Sequence, residues 1–361
     1  MQPGGQGKRV ADAGRAATFG PLATGLRTMK ILINHTQPFL LAHGGYQTQI
    51  EMTKRGLERG GRDAEWLRWW DDCQPADLIH HFSPADLGVL HLARAKGIPT
   101  VLTTLFSDEL DFSPGQLRAK RWRTSLLPRL PGFKGVASLM PAQGFHLCDL
   151  NVVSLDAEVR VLREIYQVPA SRIAQVPYGM DDNYLAAKPG ERAGDFLIST
   201  ATITARKRSI ELARLALRAE VPVLFVGKPY HPDDPYWREF QSLIDNRYVR
   251  YLAHVGDQAA MIDLYRSARG FVLASKTENW CLSAHEAALC GLPCLLRPLS
   301  WAKERFGAEA HYLTDRFEED VEILRRFYRD APTLPVPNVR QWSWWEVGDQ
   351  MAAVYAGLLE R

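Results

Sequence analysis

Two successive series of short apolar runs alternating with amphipathic stretches organise this chain. The first opens at "MKILIN", an unbroken apolar run that reads as a buried strand. It leads through "HTQPFLLAHGGYQ" into a helical stretch that should stop near Gly60 and Gly61. Further strands are predicted at "ADLIHHF", "IPTVLTTL" and "CDLNVVSL", and a helix at "DAEVRVLREIYQV" before "RIAQVPYGM". The second series runs "DFLISTATI" (strand), "SIELARLALRA" (helix), "VPVLFVG" (strand), "AAMIDLYRSA" (helix), "RGFVLAS" (strand) and "PCLLRP" (strand). Strands alternating with helices imply parallel sheets covered on both faces, hence an α/β fold of two Rossmann-like domains. The polar stretch "VPYGMDDNYLAAKPGERAG" reads as the join, and a ligand would lie in the cleft outside the carboxyl ends of the strands.

At that position lies "KTENWCLSAHEAALCGLPC", with Glu278 and Glu286 separated by seven residues. "KTENWC" is the expected loop beyond a strand, and a helix is expected to follow with Ser283 as its N-cap. Ser283 and Glu286 have the spacing of a capping box, and Glu278 could be a solvated loop acid. Against that plain reading, a helix N-terminus here would turn free backbone N–H groups toward the cleft. His285, Cys290 and Cys294 raise a metal site as an alternative. However, the zinc-helix pattern lacks its second His, which is Leu289, and both cysteines fit apolar positions.

Composition narrows the classes. At 361 residues about two domains are expected. A net charge of +3 argues against a general polyanion binder, so no nucleic-acid partner is expected. Five scattered cysteines do not form a disulfide framework, which favours a reducing, cytoplasmic compartment. No apolar run approaches the length of a membrane-spanning helix. Residues 1–28, rich in Gly, Ala and Arg, read as a disordered extension or a misassigned start ahead of Met29, a targeting peptide being the alternative. From Phe112 to Leu147 there is no acid, while Arg118, Lys120, Arg121, Arg123, Arg129 and Lys134 are interleaved with apolar residues. Either a solvated basic face or contact with an anionic membrane or phosphorylated acceptor is expected there; the membrane contact is assigned to residues 112–134, at the inner face.

Together, the Gly44–Gly45 turn, "VPYGMD", "ATITARKR" and "TENWCLSAHEAALCGLPC", in this order, resemble the family 4 glycosyltransferases. The resemblance implies the GT-B fold, with domains at 29–185 (acceptor side) and 186–335 (nucleotide-sugar side). It also implies that residues 336–361 form a helix crossing back to the first domain. "SWWEVGDQMAAVYAGLL" fits that helix, with Ser343 and Glu346 as a capping box and Val347, Met351, Val354, Tyr355 and Leu358 on one face.

The function implied is retaining, metal-independent transfer of a sugar, most readily a hexose, from a UDP- or GDP-sugar to a glycan, a lipid-linked acceptor or a small molecule. The nucleotide sugar is a substrate, and no cofactor is implied. By resemblance Glu286 would hold the donor ribose and Glu278 the sugar ring. Backbone around Leu282 and Ser283 would hold the diphosphate, with Gly44 and Gly45 closing over it and Lys207 neutralising the leaving phosphate. Trp280 and Cys281 would lie in the donor site, and backbone near His254 and Val255 would meet the base. The family's usual Arg beside the Lys is Thr202 here, its second loop Gly is Cys281, and its His after "IPTVLTTL" is absent, with Leu105 and Phe106 in that region. Those departures keep a non-catalytic nucleotide-sugar-binding protein as the alternative. A nicotinamide dehydrogenase, the third reading, lacks a phosphate fingerprint after the first strand.

Overall fold

A computed structural model describes residues 29–40, 44–83, 85–106, 108–126 and 141–361. Residues 1–28, and the part of the basic segment that includes Arg129 and Lys134, lie outside them. The first sheet is built from β1 (Lys30–His35), β2 (Asp63–Trp66), β3 (Leu78–Phe82), β4 (Thr100–Thr103), β5 (Leu150–Val153) and β6 (Ile173–Gln175). Its order is β2-β1-β3-β4-β5-β6, every pair parallel. The second contains β7 (Leu197–Thr200), β8 (Val223–Gly227), β9 (Val249–Ala253), β10 (Gly270–Leu273), β11 (Cys294–Leu296) and β12 (His311–Tyr312). Its order is β12-β11-β10-β7-β8-β9, also parallel throughout.

The central strands are where the sequence placed them, because burial on both faces demands continuous apolar runs. The strands absent from the sequence reading, β2, β6, β9 and β12, are all sheet edges. An edge strand needs only one paired side and half a buried face, so "DAEW" or "HY" carries no apolar run.

Several polar residues within the first sheet bond one another. His80 bonds the Tyr355 hydroxyl through Nδ1 at 2.6 Å and the Thr103 hydroxyl through Nε2 at 2.7 Å. The Asn34 amide donates to His81 Nδ1 at 2.8 Å. Burial pushes His80 down to about 3 and His81 to about 4, so both are neutral at physiological pH.

The last helix, Trp344–Leu359, starts with the expected capping box, Glu346 N donating to Ser343 Oγ at 3.2 Å and Ser343 N to Glu346 Oε2 at 2.7 Å. It crosses back and lies on Gly45–Arg59 of the first domain. The crossing is closest at Gly56 and Gly348, where a Cβ on Gly348 would lie 2.3 Å from the Gly56 carbonyl carbon. Met180 N donates to Trp342 O at 2.7 Å and ties the returning chain to the join.

Candidate active site

Segments beyond the carboxyl ends of β7, β9 and β10, with one from the first domain, build the site. After β7 the chain passes Ala201 and Thr202 into a single helical turn, Ala205–Lys207, whose Thr204 hydroxyl accepts from Lys207 N. Beyond β10, Lys276 N donates to Arg206 O at 2.7 Å, so the two loops are joined through their backbones. That join sets Lys207 Nζ in an ion pair with Glu278, and Arg206 reaches the same carboxylate at 3.3 Å. Glu278 is only 6% exposed. Burial works against its charge, yet Lys207 and Arg206 outweigh it and hold the carboxyl below its ordinary range.

Arg206 is thus a second cation at this carboxylate, where Thr202 carries no charge. Arg208, the last of the run, turns away in a left-handed conformation and pairs with Asp315 at 2.7 Å. Three consecutive bases gave no sequence signal to say which two would face the acid.

The helix after the loop is Leu282–Leu289, two residues earlier than its sequence suggests. Cys281 is its N-cap with φ at 58°, a left-handed conformation that costs a residue with a Cβ about 1 kcal/mol or more. A glycine would take this φ freely, which gives a physical meaning to the departure at Cys281. The earlier start overturns the expected capping box. Glu286 becomes the fifth helical residue, beyond reach of the N-cap N–H, and no side chain caps this helix. The N–H groups of Leu282 and Ser283 open the first turn, where no carbonyl four residues back can accept them.

Released from capping, Glu286 accepts from the Tyr265 hydroxyl at 3.0 Å, which in turn meets Thr200 Oγ1 at 2.6 Å. Burial pushes the Glu286 carboxyl up to about 7; Tyr265 opposes the shift and nearby Asp181 adds to it. Tyr265 lies 21 residues from Glu286, on another helix, so no local spacing announced it.

Gly44 (φ 132°) and Gly45, both exposed, open the helix Gly45–Arg59, and no atom lies within 4 Å of a Cβ built on either. His254 is exposed and Val255 half-buried just beyond β9. The Trp280 side chain does not face the cleft as a donor contact would. It is 2% exposed, stacked on Tyr178 (5.2 Å) and His285 (5.3 Å), with the Arg305 guanidinium 4.5 Å from its ring. It braces the loop from behind, leaving its backbone as the part a donor could meet.

The metal alternative finds no support in these contacts. His285 Nδ1 bonds the Cys281 carbonyl at 3.0 Å, and Cys290 and Cys294 are buried. Among the described residues no group of three or more His, Cys, Asp or Glu could hold an ion.

The first domain closes on this loop. Asn279 donates to Glu158 Oε1 and to Phe106 O, while Glu304 accepts from Asp156 N at 2.7 Å and Ala157 N at 3.1 Å. Ser300 N also donates to Asp111 at 2.7 Å.

Residues 208–326 match the family of glycosyl transferases group 1. Over 204 residues the chain is 24% identical to the O-antigen chain mannosyltransferase B of Escherichia coli, covering 50% of this chain and 53% of that protein. The match therefore spans about half the length of that curated relative. Anabaena HepE in complex with UDP-glucose superposes with a TM-score of 0.64 at 16% identity, over 91% of this chain and all (100%) of that one. Sucrose-phosphate synthase from Thermosynechococcus elongatus gives 0.68 at 15%, over 92% and 100%. At these identities the likeness shows the fold alone, and that fold is GT-B.

Proposed function

We propose that this chain, a GT-B protein whose second domain matches the glycosyl transferases group 1, is a retaining, metal-independent glycosyltransferase. It would move a hexose from a nucleotide sugar to a glycan, lipid-linked or small-molecule acceptor. The observation that carries this reading is the buried Glu278 clamped by Lys207 and Arg206, next to a helix N-terminus with free N–H groups. Cations and helix N-H groups are what a diphosphate requires, and together they can offset its charge without an ion. A hexose donor and a glycan acceptor agree with the UDP-glucose bound by HepE and the mannosyl transfer named for the relative from Escherichia coli.

In this mechanism the diphosphate takes the N–H groups of Leu282 and Ser283, and the ribose hydroxyls donate to Glu286. Backbone at His254 and Val255 meets the base, with Gly44 and Gly45 over the phosphates. As the bond from the sugar to the diphosphate breaks, negative charge grows on the leaving oxygen. Lys207 and Arg206, already fixed by Glu278, take up that charge without reorganising. Glu278 stands beside the sugar, where its charge balances the developing oxocarbenium ion.

Among the described residues no helix is long and apolar enough to cross a membrane. Lipid-linked acceptors would be met peripherally, at a cytoplasmic membrane face, through the basic segment.

A thermal-shift screen of UDP-, GDP- and ADP-hexoses, then hydrolysis of the binder in EDTA with proton NMR of the released sugar, tests the reading. Selective stabilisation, turnover in chelator and a retained anomer are expected. Turnover lost in EDTA and restored by Mg²⁺, or no nucleotide sugar bound, would sink it.

A further inference from the structure

The loop after edge strand β2 displays two indoles for which the fold has no use. Trp69 is 63% exposed and Trp70 82%. Around them the loop is rigidly built. Arg68 donates to Asp71 Oδ2 through Nε at 2.9 Å and through a terminal nitrogen at 2.8 Å, and to Glu65 at 2.6 Å. Gln74 donates to Glu65 Oε2 and to Trp66 O, both at 3.0 Å, and accepts from Arg68 N at 2.8 Å. Leu67 N donates to Ile33 O at 2.9 Å, pinning the loop to β1. Arg68, Glu65, Asp71 and Gln74 bond one another within the loop while the rings face out, an arrangement that lowers the entropy lost on binding.

Three residues before the indoles, Trp66 belongs to an aromatic ridge. Trp66 packs edge-on against His35 (5.5 Å) and Phe39 (6.1 Å), and those two rings stack at 4.2 Å. His35 ends β1, and Phe39 lies in the connection to Gly44 and Gly45. The ridge therefore runs along the carboxyl ends of β2 and β1, the side on which ligands bind in open parallel sheets.

We propose that Trp69 and Trp70 form a stacking platform for a neutral glycan acceptor, a subsite that rests on the glycosyltransferase reading above. The C–H faces of a sugar ring are apolar and flat enough to lie on an indole, while its hydroxyls seek acceptors at the rim. Such an acceptor is present: exposed Asp72 lies two residues beyond Trp70. The charge also selects the partner. Beside the indoles stand Glu65, Asp71 and Asp72 against Arg68, with Lys54 Nζ 5.6 Å from the Trp66 ring. That balance leaves no cluster of bases to hold an anionic bilayer or a phosphorylated acceptor, whereas an uncharged polyol needs none.

The full chain labelled with 5-fluorotryptophan, its signals assigned through Trp69→Phe and Trp70→Phe, allows a site-specific fluorine NMR test. It is titrated separately with maltohexaose, mannotetraose, UDP-glucose and phosphatidylcholine vesicles. At least one oligosaccharide is expected to move both resonances, with Trp70→Ala weakening its affinity about tenfold and Trp70→Phe keeping most of it. Unmoved resonances while UDP-glucose still stabilises the fold would overturn the subsite and leave the transferase reading standing. Movement by oligosaccharide without UDP-glucose binding would do the reverse. Broadening by vesicles alone, or shifts that follow protein concentration without sugar, would assign the indoles to a bilayer or a second copy and overturn the proposal.

Discussion

Asn279, beside Glu278 in the donor loop, donates its side-chain amide to Glu158 Oε1 in the first domain at 2.6 Å. Glu158 is 1% exposed, and its other oxygen accepts from Ser154 N at 2.7 Å and Leu155 N at 3.0 Å. Burial pushes this carboxyl up to about 7, while all these hydrogen bonds pull it back. The loop that carries the central acid of the site is therefore held by the opposite domain. Asn279→Ala should cost about 1–3 kcal/mol in urea unfolding, since it removes a donor from a buried carboxylate. It should also lower turnover, because Glu278 loses its bracing. Unchanged stability and rate together would show the contact to be dispensable.

Lys207 and Glu278 make a second test, one that separates stability from catalysis. Lys207→Ala leaves a buried carboxylate with only half-exposed Arg206 beside it, so stability should fall by about 3–5 kcal/mol. Turnover should fall about 10²- to 10³-fold with little change in donor KM. Adding Glu278→Gln should restore stability but not turnover, whereas Thr202→Arg should restore part of the turnover. Steady-state kinetics beside chemical denaturation of the same variants distinguish these outcomes.

Glu286 predicts a pH dependence with a definite sign. Its carboxyl titrates near 7 in the fold against an ordinary 4.5, so the folded state holds the proton more tightly than the unfolded chain. Its contribution to stability is then complete below about 4.5 and is lost as pH rises through about 7. Nucleotide-sugar binding should run the other way, because ribose hydroxyls donate best to the ionised carboxylate. Affinity should weaken by up to about tenfold per pH unit below 7. Calorimetry with a UDP-sugar, which has no phosphate titrating in this range, checks it; Glu286→Gln should bind more weakly and show a flat profile.

Gly348 tests the return of the last helix. A methyl group there would meet the Gly56 carbonyl carbon at 2.3 Å, backbone that cannot step aside without parting the two helices. Gly348→Ala should lower stability by about 1–3 kcal/mol through overpacking, although alanine favours helix intrinsically. A rise in melting temperature would contradict the crossing.

The helix Pro114–Leu126 predicts membrane behaviour. It buries no residue and exposes Arg118, Arg121, Trp122 and Arg123, while Lys120 is already paired with Glu109 at 2.5 Å. Flotation with liposomes containing anionic lipid should recover the protein, and replacing the three exposed arginines by Gln should abolish it, at about 1 kcal/mol per base. Equal recovery on neutral lipid would assign the helix to plain solvation.

The sequence by itself determined what depends on local order. The buried central strands are legible because a parallel sheet covered on both faces needs unbroken apolar runs, and the last helix because Ser343 and Glu346 cap it within one turn. The same local order brought Glu278 and Glu286 to notice, while Lys207 was singled out through the resemblance of "ATITARKR" to the family motif. Tertiary structure alone decided the rest. Edge strands β2 and β9 were illegible because pairing on one side leaves composition almost free. The start of the helix at Leu282 followed from a left-handed Cys281, a backbone choice that a residue with a Cβ does not advertise. Arg206 beside Glu278, Tyr265 beside Glu286 and Glu158 beneath Asn279 are pairs separated by 72, 21 and 121 residues. The first two pairs form between neighbouring loops and helices of the second sheet, the third where the two domains meet, and no spacing along the chain encodes them.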